Sequence, residues 1–247
     1  MSEPRKVSDH ITELFEARMG KQMEMTCEKH GEYVGYERLQ ECPDCFKEKE
    51  EGLRKEEDRE HRRAIIRQRW EKAGMPPKFC GIMLRDWIAD TDDKLVALEA
   101  GKLFASGGIA RMLLIGNCGT GKTMLAAGVI GEMTMQGKEP VYITSTRLVR
   151  SIRETWINKT SEQEAMDIFI KADVLVIDEL GSGRGSDDER LYLSEVLCDR
   201  YAMDKPTLLI SNLTGEELKE SVLDERAVDR MREDGQVVTM NWESFRK

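Results

Sequence analysis

The chain has 247 residues, 34% of them charged, with a formal net charge of −9 at pH 7. That length holds one full domain and a small appendage, and the acidic balance excludes a protein that coats nucleic acid along its whole surface, leaving only local basic patches. No apolar run reaches membrane-spanning length and the start from Met1 to Pro4 is polar, so a cytoplasmic location is expected and the six cysteines read as metal ligands or buried thiols rather than disulfides.

Between about residues 8 and 20, Ile11, Leu14, Phe15 and Met19 are spaced by three and four, which fits a short helix ending near Gly20 and fits a frayed terminus equally well. Next comes Cys27-Glu28-Lys29-His30, then eleven residues, then Cys42-Pro43-Asp44-Cys45. Two such knuckles can set Cys27, His30, Cys42 and Cys45 tetrahedrally around one Zn²⁺, and with all four positions filled by protein the site is structural rather than catalytic. So small a module buries too little surface to fold alone, so metal binding is its folding energy. Gly31 and Gly35 suit tight turns, and Tyr33, Val34 and Tyr36 supply the apolar contacts of a small ribbon. Phe46 to Lys72 is dense in Glu, Lys and Arg and predicts a long charged helix or semi-rigid linker. Its basic end (Arg62, Arg63, Arg67, Arg69) suits a solvated face or a nucleic-acid contact. Gly74-Met75-Pro76-Pro77 stops it. The predicted organisation is a zinc-ribbon-like module over residues 1–45, a charged helical linker over 46–74 and an α/β ATPase domain over 75–247.

Within that domain a helix is expected around Asp93 to Ala105, and Met112 to Ile115 reads as a buried strand. Gly116-Asn117-Cys118-Gly119-Thr120-Gly121-Lys122-Thr123 follows, and it fits G-x-x-x-x-G-K-[ST], the phosphate-binding loop of P-loop NTPases. Its glycines let consecutive backbone N–H groups close around phosphates, Lys122 brings a charge to the β- and γ-phosphates, and Thr123 places a hydroxyl for Mg²⁺. Met124 to Met135 then forms the helix whose positive end faces the phosphates. Val141 to Thr144 is a second strand, and Thr146 to Trp156 a helix carrying Arg147, Arg150 and Arg153. Val174 to Ile177 is a fully apolar third strand, as in a parallel sheet covered on both faces. Leu191 to Tyr201 is helical, Thr207 to Ile210 a fourth strand, Glu216 to Arg232 a helical stretch and Val237 to Met240 a last strand. Strands alternating with helices give a doubly wound parallel sheet flanked by helices.

The third strand runs into Asp178-Glu179: Asp178 to hold Mg²⁺ through water, and Glu179 to polarise the water that attacks the γ-phosphate. Asn212, after the fourth strand, lies where it can orient water or sense the γ-phosphate, although Asn also simply turns chains. Arg147, Arg150, Arg153 and Lys159 around Trp156 fit a single-stranded DNA contact or a solvated face. Cys118 reads as a small filler in the loop, Cys80 and Cys198 as core thiols, and His10 and His61 as surface residues.

The ordered set G-N-C-G-T-G-K-T, V-L-V-I-D-E-L-G, L-L-I-S-N, E-R-A-V-D-R-M-R and N-W-E-S-F-R resembles the DnaC/DnaI-like branch of AAA+ ATPases, the replicative helicase loaders, over residues 75 to 247. The resemblance implies an AAA+ fold, ATP and Mg²⁺ as ligands, and ATP-dependent delivery of a DnaB-type helicase onto single-stranded DNA, with slow hydrolysis acting as a switch. It assigns Arg230 as an arginine finger reaching a neighbour's ATP, which implies ATP-dependent homo-oligomers. Arg226 joins the nucleotide contacts and Arg246 becomes a second sensor. The Cys/His pattern is similar to zinc-containing loaders, many encoded by phages or prophages, and the helicase is expected to dock on residues 1 to about 73. An IstB-type transposition helper shares the core motifs, but the zinc module and the chain ending favour a loader. A nucleotide-gated adaptor with little turnover is disfavoured by the presence of both Asp178 and Glu179.

Overall fold

The computed structural model describes residues 18–182 and 186–245. The helix expected over residues 8–20 falls almost wholly outside them, as do His10, Arg246 and the side chains of Arg62 and Arg63. The chain forms two compact units, Met1–Arg62 and Arg63–Lys247.

In the first unit, β1 (Gln22–Cys27) and β2 (Gly31–Tyr36) pair antiparallel, with Cys27 opposite Gly31. Gly31 turns the chain at φ +80°, a conformation open to glycine at little cost. Gly35, expected in a turn, instead lies inside β2. A Cβ there would sit 2.9 Å from Met25 Sδ, so the missing side chain makes room for Met25 and Tyr33. Helix α1 (Pro43–Lys72) starts on a proline, whose fixed φ suits a first helical turn.

The division between the units falls inside α1, upstream of the Gly74–Pro77 break expected to mark it. The helix from residue 63 onward belongs to the second unit, in whose core Trp70 (1% exposed), Ala73 and Met75 are buried.

The second unit is built on a five-stranded sheet in the order β4-β5-β6-β3-β7, all neighbours parallel. The strands are β3 (Arg111–Gly116), β4 (Pro140–Thr144), β5 (Val174–Leu180), β6 (Thr207–Ser211) and β7 (Gly235–Met240). Helix α2 (Asp92–Ala105) precedes β3, and the crossovers that parallel pairing demands are supplied by α3 (Lys122–Met135), α4 (Ser145–Asn158), α5 (Glu162–Lys171), α6 (Asp187–Ala202), α7 (Gly215–Ser221) and α8 (Glu225–Arg232). Successive strand residues point to opposite faces, which makes two cores. Met112, Leu114, Val176 and Leu208 join α2 and α3 in one, while Leu175, Ile177 and Leu209 join α4 to α8 in the other.

In the second unit the helices also depart from the sequence expectation. Helix α5 was not expected, although Met166, Phe169 and Ile170 at helical spacing form its buried face and Ser161 caps it. The stretch Glu216–Arg232 is two helices, because the Asp224 side chain accepts the Ala227 N–H and caps a fresh start. No helix among the described residues is long and apolar enough to cross a membrane.

Candidate nucleotide site and metal centre

The loop between β3 and α3 lies at the carboxyl edge of the sheet, where β6 separates β3 from β5 and crevices for ligands open. Gly116, Gly119 and Gly121 have φ of +130°, +85° and +95°. Crowding adds to that requirement, since a Cβ would come 2.3 Å from Met240 O at Gly116 and 2.0 Å from Ser244 Oγ at Gly119. Lys122 arches back so that Nζ donates to the Gly116 and Asn117 carbonyls, each at 2.7 Å. Thr120 Oγ1 donates to Asn117 O at 2.9 Å, while Asn117 and Cys118 stand exposed at the tip. The first turn of α3 presents N–H groups that lack intrahelical acceptors, an anion site by construction.

Asp178, 4% exposed, is the best-tied side chain of the site. Its Oδ2 accepts from Thr123 Oγ1 at 2.8 Å and from Tyr142 Oη at 2.7 Å, and its Oδ1 from the Glu179 N–H at 2.6 Å. Burial first, then the Asp178 charge, push the Tyr142 phenol well above its ordinary pKa, so it remains a donor. Glu179 takes the left-handed conformation (φ +57°) beside a bulge between Ile177 and Leu180, and its carbonyl accepts from Ser145 Oγ at 3.1 Å. A non-glycine residue there costs roughly 1–3 kcal/mol, a type of strain that collects at functional sites.

Lys122, Thr123, Asp178, Glu179 and Asn212 line one cavity of about 450 Å³. Asn212 follows β6 and therefore stands between the loop and the Asp178 strand. The Thr123 and Asp178 oxygens are the hard donors Mg²⁺ takes beside phosphates. Phe79, Trp87, Ile88, Met124 and Phe245 make the cavity's apolar end. From outside, the terminal segment clasps the loop: Trp242 Nε1 donates to Thr120 O and the Phe245 N–H to Gly119 O, both at 2.9 Å. Trp87 packs edge-on against Trp242 and Phe245, centroids 6.3 and 6.4 Å apart. Trp87 and Tyr142 are site residues that the sequence alone does not reveal. Each is one aromatic in an apolar context and carries no motif.

Arg230 stacks on Tyr201, its guanidinium carbon 4.5 Å from the ring centroid, and Arg111 stacks on the same ring at 4.7 Å. Arg111 starts β3 and the phosphate loop follows the end of that strand, about 16 Å away at the rise of a β-strand. Arg230 therefore sits near the opposite end of the sheet from its own loop. Arg226, one turn earlier on α8, is exposed. In the basic stripe, Arg147 and Arg150 are exposed, whereas Arg153 Nε is taken up by Asp188 at 2.8 Å. Trp156 is 57% exposed, and its ring N–H donates to Glu162 at 2.8 Å.

In the first unit, Cys27, His30, Cys42 and Cys45 converge, their ligand atoms all within 4.8 Å of one another. His30 Nδ1 lies 3.8, 3.6 and 3.4 Å from the sulfurs of Cys27, Cys42 and Cys45, and the Cys27 and Cys45 sulfurs are 3.6 Å apart. A tetrahedron with Zn–S of about 2.3 Å and Zn–N of about 2.0 Å has edges of about 3.5–3.8 Å, so the donors fit zinc. The backbone N–H groups of Lys29 and then His30 hold the Cys27 thiol below its ordinary pKa, which favours the thiolate a metal needs.

The chain is 28% identical over 194 residues to the replicative helicase loader DnaC of Escherichia coli (strain K12), covering 76% of this chain and 79% of that one. It is 31% identical over 142 residues to DnaC of Buchnera aphidicola subsp. Baizongia pistaciae, covering 56% and 57%. In fold it is similar to the crystal structure of the DnaC helicase loader, with a TM-score of 0.61 at 19% identity over 67% of this chain and all of that one. DnaI is similar with a TM-score of 0.59 at 21% identity, over 68% of this chain and 95% of that one. The sequence pattern of the family described as IstB-like ATP binding protein matches residues 46–247, and the chain, an AAA+ ATPase in fold, belongs to that family.

Proposed function

We propose that this protein is an ATP-dependent loader that binds a DnaB-type replicative helicase and delivers it to single-stranded DNA in the cytoplasm. The observation that carries the reading is the meeting of Lys122, Thr123, Asp178 and Glu179 in one cavity of an AAA+ fold, in a chain similar to helicase loaders over most of their length. The loop N–H groups and Lys122 cradle the phosphates, while Thr123 and, through water, Asp178 would hold Mg²⁺, which would neutralise charge on the phosphate oxygens. Glu179 draws on the attacking water, Asn212 orients it, and Arg230 of a second copy supports the charge that develops on the γ-phosphate. Arg226 and Arg246 add contacts to nucleotide. Turnover is slow until helicase and DNA are present, so ATP acts as an assembly switch. Residues 1 to about 73, stapled by Zn²⁺ at Cys27, His30, Cys42 and Cys45, dock the helicase, and Arg147, Arg150 and Trp156 contact DNA.

A second reading, a transposition helper, is favoured by the family's own description. Pull-downs from lysate with the unaltered chain and Glu179→Gln, with and without ATP, separate the two. Recovery of helicase with ATP, and its retention by a variant that binds ATP without hydrolysing it, is the expected result. Recovery of a transposase instead would establish the second reading, and hydrolysis unchanged in Glu179→Gln under every condition would remove Glu179 from the mechanism.

A further inference from the structure

Asp178 is held by three donors, and they are not equivalent. The Thr123 hydroxyl, 2.8 Å from Oδ2, is itself read above as a Mg²⁺ ligand: its lone pair goes to the cation when one binds, while its proton stays on Asp178. The Glu179 N–H belongs to a strained residue that is part of the hydrolytic machinery. The remaining donor is the Tyr142 phenol, at 2.7 Å and 8% exposed, out of reach of the bulk water that would otherwise compete for it. Tyr142 is also fixed from behind. Its N–H donates to Ala73 O at 2.6 Å, and Gly74 packs so closely that a Cβ there would lie 2.6 Å from Tyr142 O. Pairing of Tyr142 with Val176 and Thr144 with Asp178 sets the register of β4 on β5, so the phenol cannot slide along the carboxylate.

We propose that Tyr142 is a positioning residue for the metal: by donating to Oδ2 it fixes the plane in which the Asp178 carboxylate faces the Mg²⁺ site, together with the Thr123 hydroxyl on the same oxygen. The proposal rests on the reading of Thr123 and Asp178 as the Mg²⁺ site. Groups that hydrogen-bond a metal ligand from outside typically set 10- to 100-fold in metal affinity.

The test is Tyr142→Phe in the full chain, with binding of a fluorescent ATP analogue followed as Mg²⁺ is titrated. The expected result is a rise of about tenfold in the Mg²⁺ concentration for half-saturation, with binding in excess EDTA unchanged. An unchanged Mg²⁺ dependence, or equal loss of binding with and without Mg²⁺, would overturn the proposal and leave Tyr142 a structural residue. If the unaltered chain itself binds the analogue without Mg²⁺ dependence, the metal reading of Asp178 fails first and the proposal with it. Should Tyr142→Phe not fold, ring-fluorinated tyrosine at position 142 alters the acidity of the phenol with little change of shape: a shifted Mg²⁺ midpoint supports the proposal and an unshifted one overturns it.

Discussion

Arg200 shows how much a single side chain can organise without leaving a mark in the sequence. It is 0% exposed, and its guanidinium donates to the carbonyls of Phe169, Ile170, Ala172 and Pro206 and to Thr207 Oγ1, at 2.6–3.1 Å. Those acceptors are the end of α5 and the entries to β5 and β6, so one fork of donors satisfies carbonyls that burial would otherwise orphan. Burial lowers its pKa to about 10, which leaves it charged at neutral pH. Arg200→Met should destabilise the fold by about 3–5 kcal/mol, since several buried acceptors lose their partners together. Arg200→Lys should recover little of this, because one ammonium cannot span acceptors that a planar fork reaches. Chemical denaturation measures both, and a loss below about 1 kcal/mol for Arg200→Met would mean that water replaces the guanidinium. In the sequence, an arginine next to Asp199 on a charged helix looks like any solvated residue. Tyr142 was invisible for the same reason, because its partner Asp178 is set by strand register and not by spacing along the chain.

At the level of elements, most of the fold was legible. Apolar strands and the loop glycines carry local chemistry that survives without tertiary context, and β3 and α3 formed around the phosphate motif as expected. What the pattern missed depended on local detail: Asp224 restarting a helix, or Gly35 yielding space to Met25 rather than turning the chain. The hairpin and the first turn of α1 have little apolar support, since Met23, Val34, Leu39 and Phe46 are all about half exposed. Their knuckle donors already stand at zinc separations, so metal supplies the cohesion that a core supplies elsewhere. Removing zinc with a strong chelator should therefore unfold the first unit and leave the second folded, seen as lost amide-exchange protection over residues 22–36 with ATP binding intact. Protection that persists in the metal-free protein would show that the hairpin stands on packing alone.

On the scale of the whole molecule, the placement of Arg230 bears on how many copies make one working site. Its guanidinium stacks with Arg111 on Tyr201, about 16 Å along β3 from the start of the loop, farther than an arginine side chain extends. A chain therefore carries a phosphate loop at one end of its sheet and at the other an arginine held only by Tyr201 and its neighbour Asp229 among the described residues, an asymmetric pair that matches head-to-tail assembly. On this reading Lys122→Ala removes a chain's own loop function but leaves its Arg230 for a neighbour, while Arg230→Ala does the reverse. Each variant alone should hydrolyse ATP at well under a tenth of the normal rate, because an arginine supplied in trans contributes about 10³–10⁵ in comparable phosphoryl transfers. Mixing the two should restore a fraction of the activity, as some interfaces then pair an intact loop with an intact arginine. The restored rate should rise with total protein concentration, which a repaired single chain would not show. Activity that stays flat on mixing, with both variants folded and the Arg230→Ala chain still binding ATP, would place catalysis within one chain and remove assembly from the hydrolytic step.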